Sequence, residues 1–372
     1  MTPSVAVRFA LTGCLTIGIL AASPTPARAQ ARPQTPGKVG VLKWEFEVHG
    51  AFATGYSAPE GQSKAPPEGP SFTLGDGTTP SRAVTSWYFG SGASFLNQVL
   101  ALRGIGINDR LTALDSAGWP GAGRRPGVQF GARIARRVTS TVWIEVSADL
   151  GLDPLGFDSD TSSRIEQTRA AFVTAFTALN NSTLTLMPNP TVTSTATVQS
   201  GGRRVVTSGV VQYRGTGTGL RPYVLAGAGF AMPIGGATSL TLSGRYQLAT
   251  PGGAVFDETD VMVLRYRSTA SFVTVAGFGF MRDTSPRSGY RVETRVMFGT
   301  AHQDIRLDTE PTVAVTTPTG AAILNATNPG LQFATNGLRT NLSAQATHDF
   351  AALTADGKKL QWVVSGGYFW RF

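Results

Sequence analysis

The sequence predicts an all-β protein, an up-and-down antiparallel transmembrane β-barrel of eight strands. Three observations predict it: segments with alternating apolar and polar residues, connections that alternate between short and long, and an export signal at the start of the chain. The composition agrees, because only 15% of the residues are charged and 41% are hydrophobic, whereas a soluble domain carries roughly 25% charged residues. After the N-terminus no uncharged apolar run reaches about 18 residues, so helical membrane spans are not expected.

Residues 1–29 have the pattern of a cleavable secretory signal peptide. Arg8 supplies a positive charge, residues 9–22 are largely apolar, and Ala27-Arg28-Ala29 gives a small-x-small cleavage pattern before Gln30. A competing lipoprotein signal ends at Cys14, the only cysteine, but the apolar stretch continues beyond it. We therefore expect residues 30–372 to form a single barrel domain.

Eight segments have the two-residue period of a β-strand. In the first, alternate residues from Trp44 to Phe52 are apolar or glycine, over a length that can cross a bilayer when tilted. The others lie near 128–135, 142–150, 205–214, 222–231, 271–281, 290–298 and 362–372.

The connections between these segments alternate in length. Residues 136–141, 215–221 and 282–289 are short turns, whereas residues 55–126, 151–203, 232–269 and 300–360 are long links. A bacterial membrane barrel has short periplasmic turns and long extracellular loops, while a soluble sandwich has short turns at both ends. The alternation therefore favours the membrane barrel and places the long links outside the cell.

Aromatic residues mark the same orientation. Six of them fall at strand ends next to short turns or chain ends: Trp44, Tyr213, Phe280, Tyr290, Trp370 and Phe372. Because aromatic girdles sit at bilayer interfaces, we expect these residues to form the periplasmic rim.

The end of the chain carries a short motif, Ser365-x-Gly367-x-x-Trp370-x-Phe372. It resembles the C-terminal β-signal of bacterial outer-membrane barrels, and the layout of the chain is similar to small eight-stranded barrels of the outer-membrane protein A transmembrane type. The resemblance implies an outer-membrane location and a terminal strand that is recognised by the barrel-assembly machinery. The long loops, and the lack of a periplasmic domain after the barrel, depart from that family.

The long links carry signs of structure of their own. Ser163-Arg164-Ile165-Glu166 has the form of a capping box, and apolar residues recur at helical spacing from Ile165 through Asn180. A shorter helical stripe covers residues 95–100, and residues 239–248 and 261–267 alternate like a hairpin. This hairpin either extends above the membrane or adds two wall strands to give a ten-stranded barrel. We favour the extension because Arg265 and Arg267 are costly on a lipid-facing strand.

The inward faces of the strands carry balanced charge. Five acids and five arginines share them, namely Glu45, Glu47, Glu145, Asp149, Glu293, Arg133, Arg214, Arg291, Arg295 and Arg371. An eight-stranded barrel is just wide enough for side chains to fill it, and an unpaired buried charge is costly. The sequence therefore predicts a lumen filled by a charge network.

Catalytic patterns are sparse, so no enzyme activity, cofactor or metal is expected. The three histidines form no HExxH motif, and no G-x-S-x-G elbow is present. His302, close to Asp304 after the seventh strand, is the one candidate for lipid A chemistry.

Several arginines are expected near the outer rim, where guanidinium groups suit the phosphates of lipopolysaccharide. They are Arg124, Arg125, Arg203, Arg204, Arg265 and Arg267. The net charge of +9 is better matched by this anionic envelope than by nucleic acid, because the basic pairs lack aromatic platforms. We expect a structural or surface-interaction role with an unknown extracellular ligand. The alternatives are a lipid A-modifying enzyme and a small porin or hydrophobic-solute channel.

Overall fold

The computed structural model describes residues 43–57, 61–66, 71–73, 80–82, 84–157, 159–182, 191–217, 219–249, 255–316, 322–327 and 347–372, and the predicted signal peptide lies outside them. Leu42–Phe372 is one compact unit. Its helices are α1 (Gly90–Leu102) and α2 (Ser159–Ser182), with a 3-10 turn at Ile107–Asp109. Its strands, in chain order, are β1 (Trp44–Ala53), β2 (Gln62–Ser63), β3 (Ser71–Thr73), β4 (Pro80–Arg82), β5 (Ala122–Arg124), β6 (Gly127–Arg137), β7 (Val142–Gly151), β8 (Leu155–Phe157), β9 (Val192–Gln199), β10 (Arg203–Arg214), β11 (Leu220–Ile234), β12 (Thr238–Ala249), β13 (Val255–Ser268), β14 (Ser271–Ser285), β15 (Ser288–Thr309), β16 (Thr312–Thr316), β17 (Ala322–Thr327) and β18 (Phe350–Arg371).

Eight strands close into a ring in which all neighbours are antiparallel. The order is β1-β6-β7-β10-β11-β14-β15-β18, and β18 pairs back onto β1. At the seam, Phe46 of β1 lies opposite Trp370 of β18 on one side and Ile134 of β6 on the other. The wall follows chain order throughout. The predicted eight-stranded, up-and-down, all-β barrel is confirmed.

The outer surface of the ring is apolar. Outward-pointing side chains on every wall strand stay exposed, among them Phe46, Phe130, Ile144, Val211, Val224, Phe278, Val292 and Trp362. A soluble monomer rarely exposes a contiguous apolar patch of more than a few hundred Å², whereas a membrane barrel presents such a band to lipid. This surface is that of a protein that crosses a membrane with its strands.

The six aromatic residues predicted for one rim are exposed, and they lie at the end of the barrel that carries the short turns. Trp370 stacks on Phe46 with ring centroids 6.3 Å apart, and Tyr368 packs edge-on against Tyr290 at 5.0 Å. These contacts join the terminal strand to both of its neighbours at the level where an interfacial girdle belongs.

At the opposite end, the long connections fold into a second body that we call the cap. It comprises α1, α2, β9, β12, β13 and the upper parts of β15 (303–309) and β18 (350–355), and its sheet has the order β9-β12-β13-β15-β18. Both helices contribute to its hydrophobic core with Leu96 and Phe172, against Tyr246 and Leu264 of the sheet, all fully buried. The long connections thus bury apolar surface of their own.

Aromatic rings dominate the core of the cap. Phe176 of α2 stacks on Tyr246 at 3.9 Å, and Trp87 packs edge-on against Phe176 at 5.9 Å and donates its indole N–H to the Tyr246 hydroxyl at 2.9 Å. Such pairs each add roughly 0.5–1.5 kcal/mol beyond their buried area. Neither helix in the described part of the chain is long and apolar enough to cross a membrane.

The hairpin β12–β13 lies in the cap and outside the wall. β11 pairs directly with β14, from Ala231 opposite Ser271 to Leu220 opposite Arg282. β13 instead pairs with the upper part of β15, from Met262 opposite Thr309 to Ser268 opposite Gln303. The ring therefore has eight strands, and the ten-stranded alternative does not form.

Several boundaries differ from the predicted ones. β15 continues to Thr309 and β18 begins at Phe350, so the last connection covers 310–349 instead of 300–360.

α2 begins at Ser159, four residues before the predicted capping box, and the Ser163 hydroxyl donates to the Ser159 carbonyl at 3.0 Å inside the helix. Asp160 in the first turn favours this earlier start because a negative charge stabilises a helix N-terminus.

Candidate functional site: the lumen, its rim and the cap core

The ten charged residues predicted for the lumen all lie on its inner side. Nine are buried, with relative exposures of 5% or less, and Arg371 at the short-turn rim is half-buried. They come from β1, β6, β7, β10, β15 and β18, because alternate residues of each wall strand point inward.

Glu45 of β1 is the acceptor for three arginines. Arg214 binds it with two parallel bonds of 3.0 Å, Arg291 contacts it closely, and Arg371 donates at 3.1 Å. Bidentate arginine–carboxylate geometry is strong and directional. The same arginines rest on aromatic rings, with Arg214 4.1 Å from the Trp143 centroid. Glu45 therefore holds three arginines of the network together at the end of the barrel that carries the short turns.

Glu145 of β7 holds the middle of the network. Arg291 and Arg295, both on β15, reach it at 2.7 and 2.5 Å, and Gln212 donates to it at 2.5 Å. β7 and β15 stand on opposite sides of the eight-stranded ring, four strands apart in either direction. These contacts therefore span the full width of the lumen.

Arg133 and Glu293 complete this layer. Arg133 lies 3.2 Å from Glu47 and 3.1 Å from Glu293, and Glu293 also contacts Arg295 and accepts from the Tyr223 hydroxyl at 2.6 Å. Every carboxylate in this layer thus has an arginine partner, as buried charges require.

His49 extends the network toward the cap. Its Nε2 lies 2.5 Å from Asp149 Oδ1, and its Nδ1 lies 3.8 Å from Glu47. The ring is buried and is held between these two carboxylates.

The residues of the C-terminal motif each have a structural position. Ser365 faces the lumen and accepts from Arg133 at 3.0 Å. A Cβ at Gly367 would lie 2.8 Å from the main-chain oxygen of Val48 and 2.5 Å from Glu47 Oε1, so only glycine fits there beside the network. Trp370 and Phe372 face outward and are exposed, and the main chain of Phe372 pairs with Trp44 at 3.1 Å in both directions. The motif thus lies at the closing seam of the barrel.

The six arginines predicted for the outer rim do not act alike. Arg124 and Arg204 are buried and flank Asp153, with nitrogen–oxygen distances of 3.9 and 3.3 Å, and Arg124 also donates to the Gly202 carbonyl at 2.6 Å. The prediction that these two arginines contact lipopolysaccharide phosphate is therefore wrong, because both side chains are buried beside Asp153. The other four are exposed. Of these, Arg265 is paired with Asp308 and Arg267 with Asp349, while Arg125 donates to the Phe157 carbonyl at 2.9 Å.

His302 is paired with a different acid from the one expected. Its Nδ1 lies 2.7 Å from Asp356 of β18, its cross-strand neighbour, whereas Asp304 binds Arg306 at 2.7 Å. Both His302 and Asp356 are substantially exposed. The geometry is that of a hydrogen bond at the surface between two neighbouring strands.

Asp260 is a polar residue in the cap core that the sequence did not indicate. One of its carboxyl oxygens accepts from the Ser86 hydroxyl at 2.8 Å and from the Trp87 main-chain N–H at 2.6 Å. The other oxygen has no hydrogen-bond partner in the part of the chain that the structure describes. Burial raises the pKa of Asp260 to about 7, although these two hydrogen bonds oppose the shift. The alternating pattern of β13 could have indicated an inward acid.

The closed eight-stranded ring, its apolar outer band, its aromatic rim and its charged interior define a β-barrel of the bacterial outer-membrane type. No known protein family matches the sequence, and no curated protein does.

Among solved structures, the chain is similar to the outer membrane protein OprG from Pseudomonas aeruginosa, at 11% identity over 90% of this chain and 98% of that one, with a TM-score of 0.36. It is also similar to the outer membrane protease OmpT from Escherichia coli, at 8% identity over 89% and 97%, with a TM-score of 0.25. A third is the COG4313 outer membrane channel from Pseudomonas putida F1, at 8% identity over 94% and 100%, with a TM-score of 0.22. At such scores the class rests on the chain's own closed sheet and outer surface.

Proposed function

We propose that the protein is an outer-membrane barrel that serves as a closed anchor, and that its cap carries a surface-interaction role outside the cell. The observation that carries this proposal is the contact of Glu145 on β7 with Arg291 and Arg295 on β15. Side chains from opposite walls meet there, which leaves no continuous bore through a ring of this size.

Planar-bilayer recording of the purified full-length protein tests the anchor. We expect no resolved current steps of porin size, and a variant with Glu145, Arg291 and Arg295 changed to alanine is expected to give small steps. Heat-modifiable migration in electrophoresis confirms that both proteins are folded. Porin-size currents from the wild type would show that the lumen is a channel.

The cap offers a defined surface for the interaction role. An open cleft of about 470 Å³ lies between α1 and residues 110–116, where Ser94, Gln98 and Arg110 add polar groups to a lining that is otherwise largely apolar. Such a mixed lining suits a ligand that carries both apolar and polar groups, such as a peptide or a glycan. Screening glycan and peptide arrays tests this, with Gln98→Trp to fill the cleft and Leu102→Trp as an exposed control outside it. Binding that survives Gln98→Trp would place the interaction elsewhere.

Two further partners follow from the proposed location. The barrel-assembly machinery would read the terminal strand through the exposed Trp370 and Phe372. Lipopolysaccharide phosphate would be contacted at the outer rim by Arg203 and Arg125, the two exposed rim arginines that are not paired with an acid in the described part of the chain. Arg265 and Arg267 would bind phosphate only where it displaces their partners, Asp308 and Asp349.

A further inference from the structure

A small cavity lies where the barrel wall meets the cap, at the level where β15 exchanges β14 for β13 as its neighbour. Its volume is about 40 Å³, and it is lined by Tyr56, Ser271, Gln303 and Lys359, with His302 toward the outside. A water molecule needs roughly 10–15 Å³ of such volume. The cavity therefore has room for a group of two or three heavy atoms.

Lys359 brings an uncompensated positive charge into this cavity. The side chain is buried, its ammonium donates to the Ser271 hydroxyl at 2.7 Å, and it lies 5.6 Å from the centre of the Tyr56 ring. Within the described ranges, no carboxylate oxygen comes within 4.0 Å of it. A buried cation without an anionic partner is costly, so the site is arranged for a negative charge.

Gln303 supplies a second, independent observation. It is 6% exposed, and neither its amide nitrogen nor its amide oxygen has a hydrogen-bond partner in the described part of the chain. Buried side-chain amides are almost always bonded. A water could satisfy Gln303, but it would leave the charge of Lys359 uncompensated.

The surroundings add positive charge. Arg124 and Arg204 share the single acid Asp153, and the main chain of Arg124 pairs with that of Tyr56, whose ring lies beside Lys359. The rim therefore holds more cations than anions, and its field favours an anionic guest.

We propose that this cavity is a binding site for a small monoanion, a carboxylate group, held by the Lys359 ammonium, the Gln303 amide and the Ser271 hydroxyl. The Ser271 hydroxyl accepts from Lys359 and keeps its own hydrogen for the guest. The site does not depend on whether the lumen conducts.

Calorimetric titration of the full-length protein in detergent tests the site, with sodium acetate as the probe and sulfate as the background anion. We expect saturable one-to-one binding of acetate and none of its neutral analogue acetamide. Lys359→Met is expected to weaken acetate binding at least tenfold, whereas Lys358→Met, at the exposed neighbouring position, leaves it unchanged. Gln303→Leu, which keeps the charge, is expected to weaken it by a smaller factor.

Titration with octanoate distinguishes two sources of the carboxylate group, a fatty acid and a small anion from water. Octanoate binding more than tenfold tighter than acetate supports a fatty acid that enters from the lipid side past His302, and equal binding supports an aqueous anion. The proposal fails if folded wild type binds no acetate, if acetamide binds equally well, or if Lys359→Met binds acetate with wild-type affinity.

Discussion

Removing one arginine from the lumen tests whether the charge network holds the barrel together. Arg295 is 1% exposed, contacts Glu293, and lies 2.5 Å from Glu145. Arg295→Met keeps an unbranched side chain but leaves four arginines for five carboxylates. Breaking a buried ion pair by removing one partner costs about 3–5 kcal/mol. We expect the free energy of unfolding to fall by that amount.

Urea unfolding in lipid vesicles, followed by tryptophan fluorescence, measures this change. In the double variant Arg295→Met/Glu145→Gln the charges balance again, and we expect about 1–2 kcal/mol of recovery, because Glu145 also serves Arg291 and Gln212. Arg245→Met is the matched control, since Arg245 pairs with Asp257 on the cap surface, where pairs contribute about 0–1 kcal/mol. Equal losses for Arg295→Met and Arg245→Met would refute the structural role of the network.

Three further outcomes are expected. Replacing Trp370 and Phe372 by alanine should lower membrane insertion several-fold, and a normal yield of heat-modifiable barrel would show that the motif is incidental. Arg203→Gln should weaken binding to lipid A without changing stability, whereas Arg204→Gln should lower stability by about 1–3 kcal/mol because it disturbs a buried pair; the opposite pattern would contradict the assignment of faces. Because the folded pKa of Asp260 is about 7 and lies above the ordinary aspartate pKa of 3.8, its contribution to stability is complete below about pH 4 and is lost as the pH rises to 7, by about 4 kcal/mol. Asp260→Asn should remove this pH dependence from thermal unfolding of the cap, measured by near-ultraviolet circular dichroism, and an unchanged profile would exclude Asp260 as its source.

The wall and its interior were accessible from sequence because the side chains of a strand alternate between two faces. Once the strand at 290–298 is assigned, Arg291, Glu293 and Arg295 must share one face, and the even-numbered residues, which are mostly apolar or aromatic, must share the other. The same rule shows why the outer-rim prediction went wrong. Consecutive residues such as Arg203 and Arg204 cannot both face outward, and the structure turns Arg204 inward.

The cap was much less accessible because its core joins residues far apart in the chain. Trp87, Phe176 and Tyr246 belong to three different connections, yet they form one aromatic cluster. Local periodicity indicated the helices and the hairpin. It contains no information on which apolar face of one element packs against which face of another. The same limit hid the cavity beside Lys359, since Gln303 lies on β15 and Lys359 on β18, and a long connection separates these strands in the sequence.

β15 passes from the part of the barrel wall that faces lipid into the cap, which faces water. In its lower part the inward residues are charged, as Arg291 and Arg295 are, while outward residues such as Phe298 are apolar. Above residue 300 the two faces exchange character, because inward Ile305 is apolar and buried whereas outward Arg306 is charged. β18 makes the same exchange near Lys359, between outward Asp356 and Trp362. Since lipid demands an apolar exterior and water a polar one, the exchange marks the outer surface of the membrane. The anion site lies at that level, where neither the lumen network nor the cap core neutralises a buried charge.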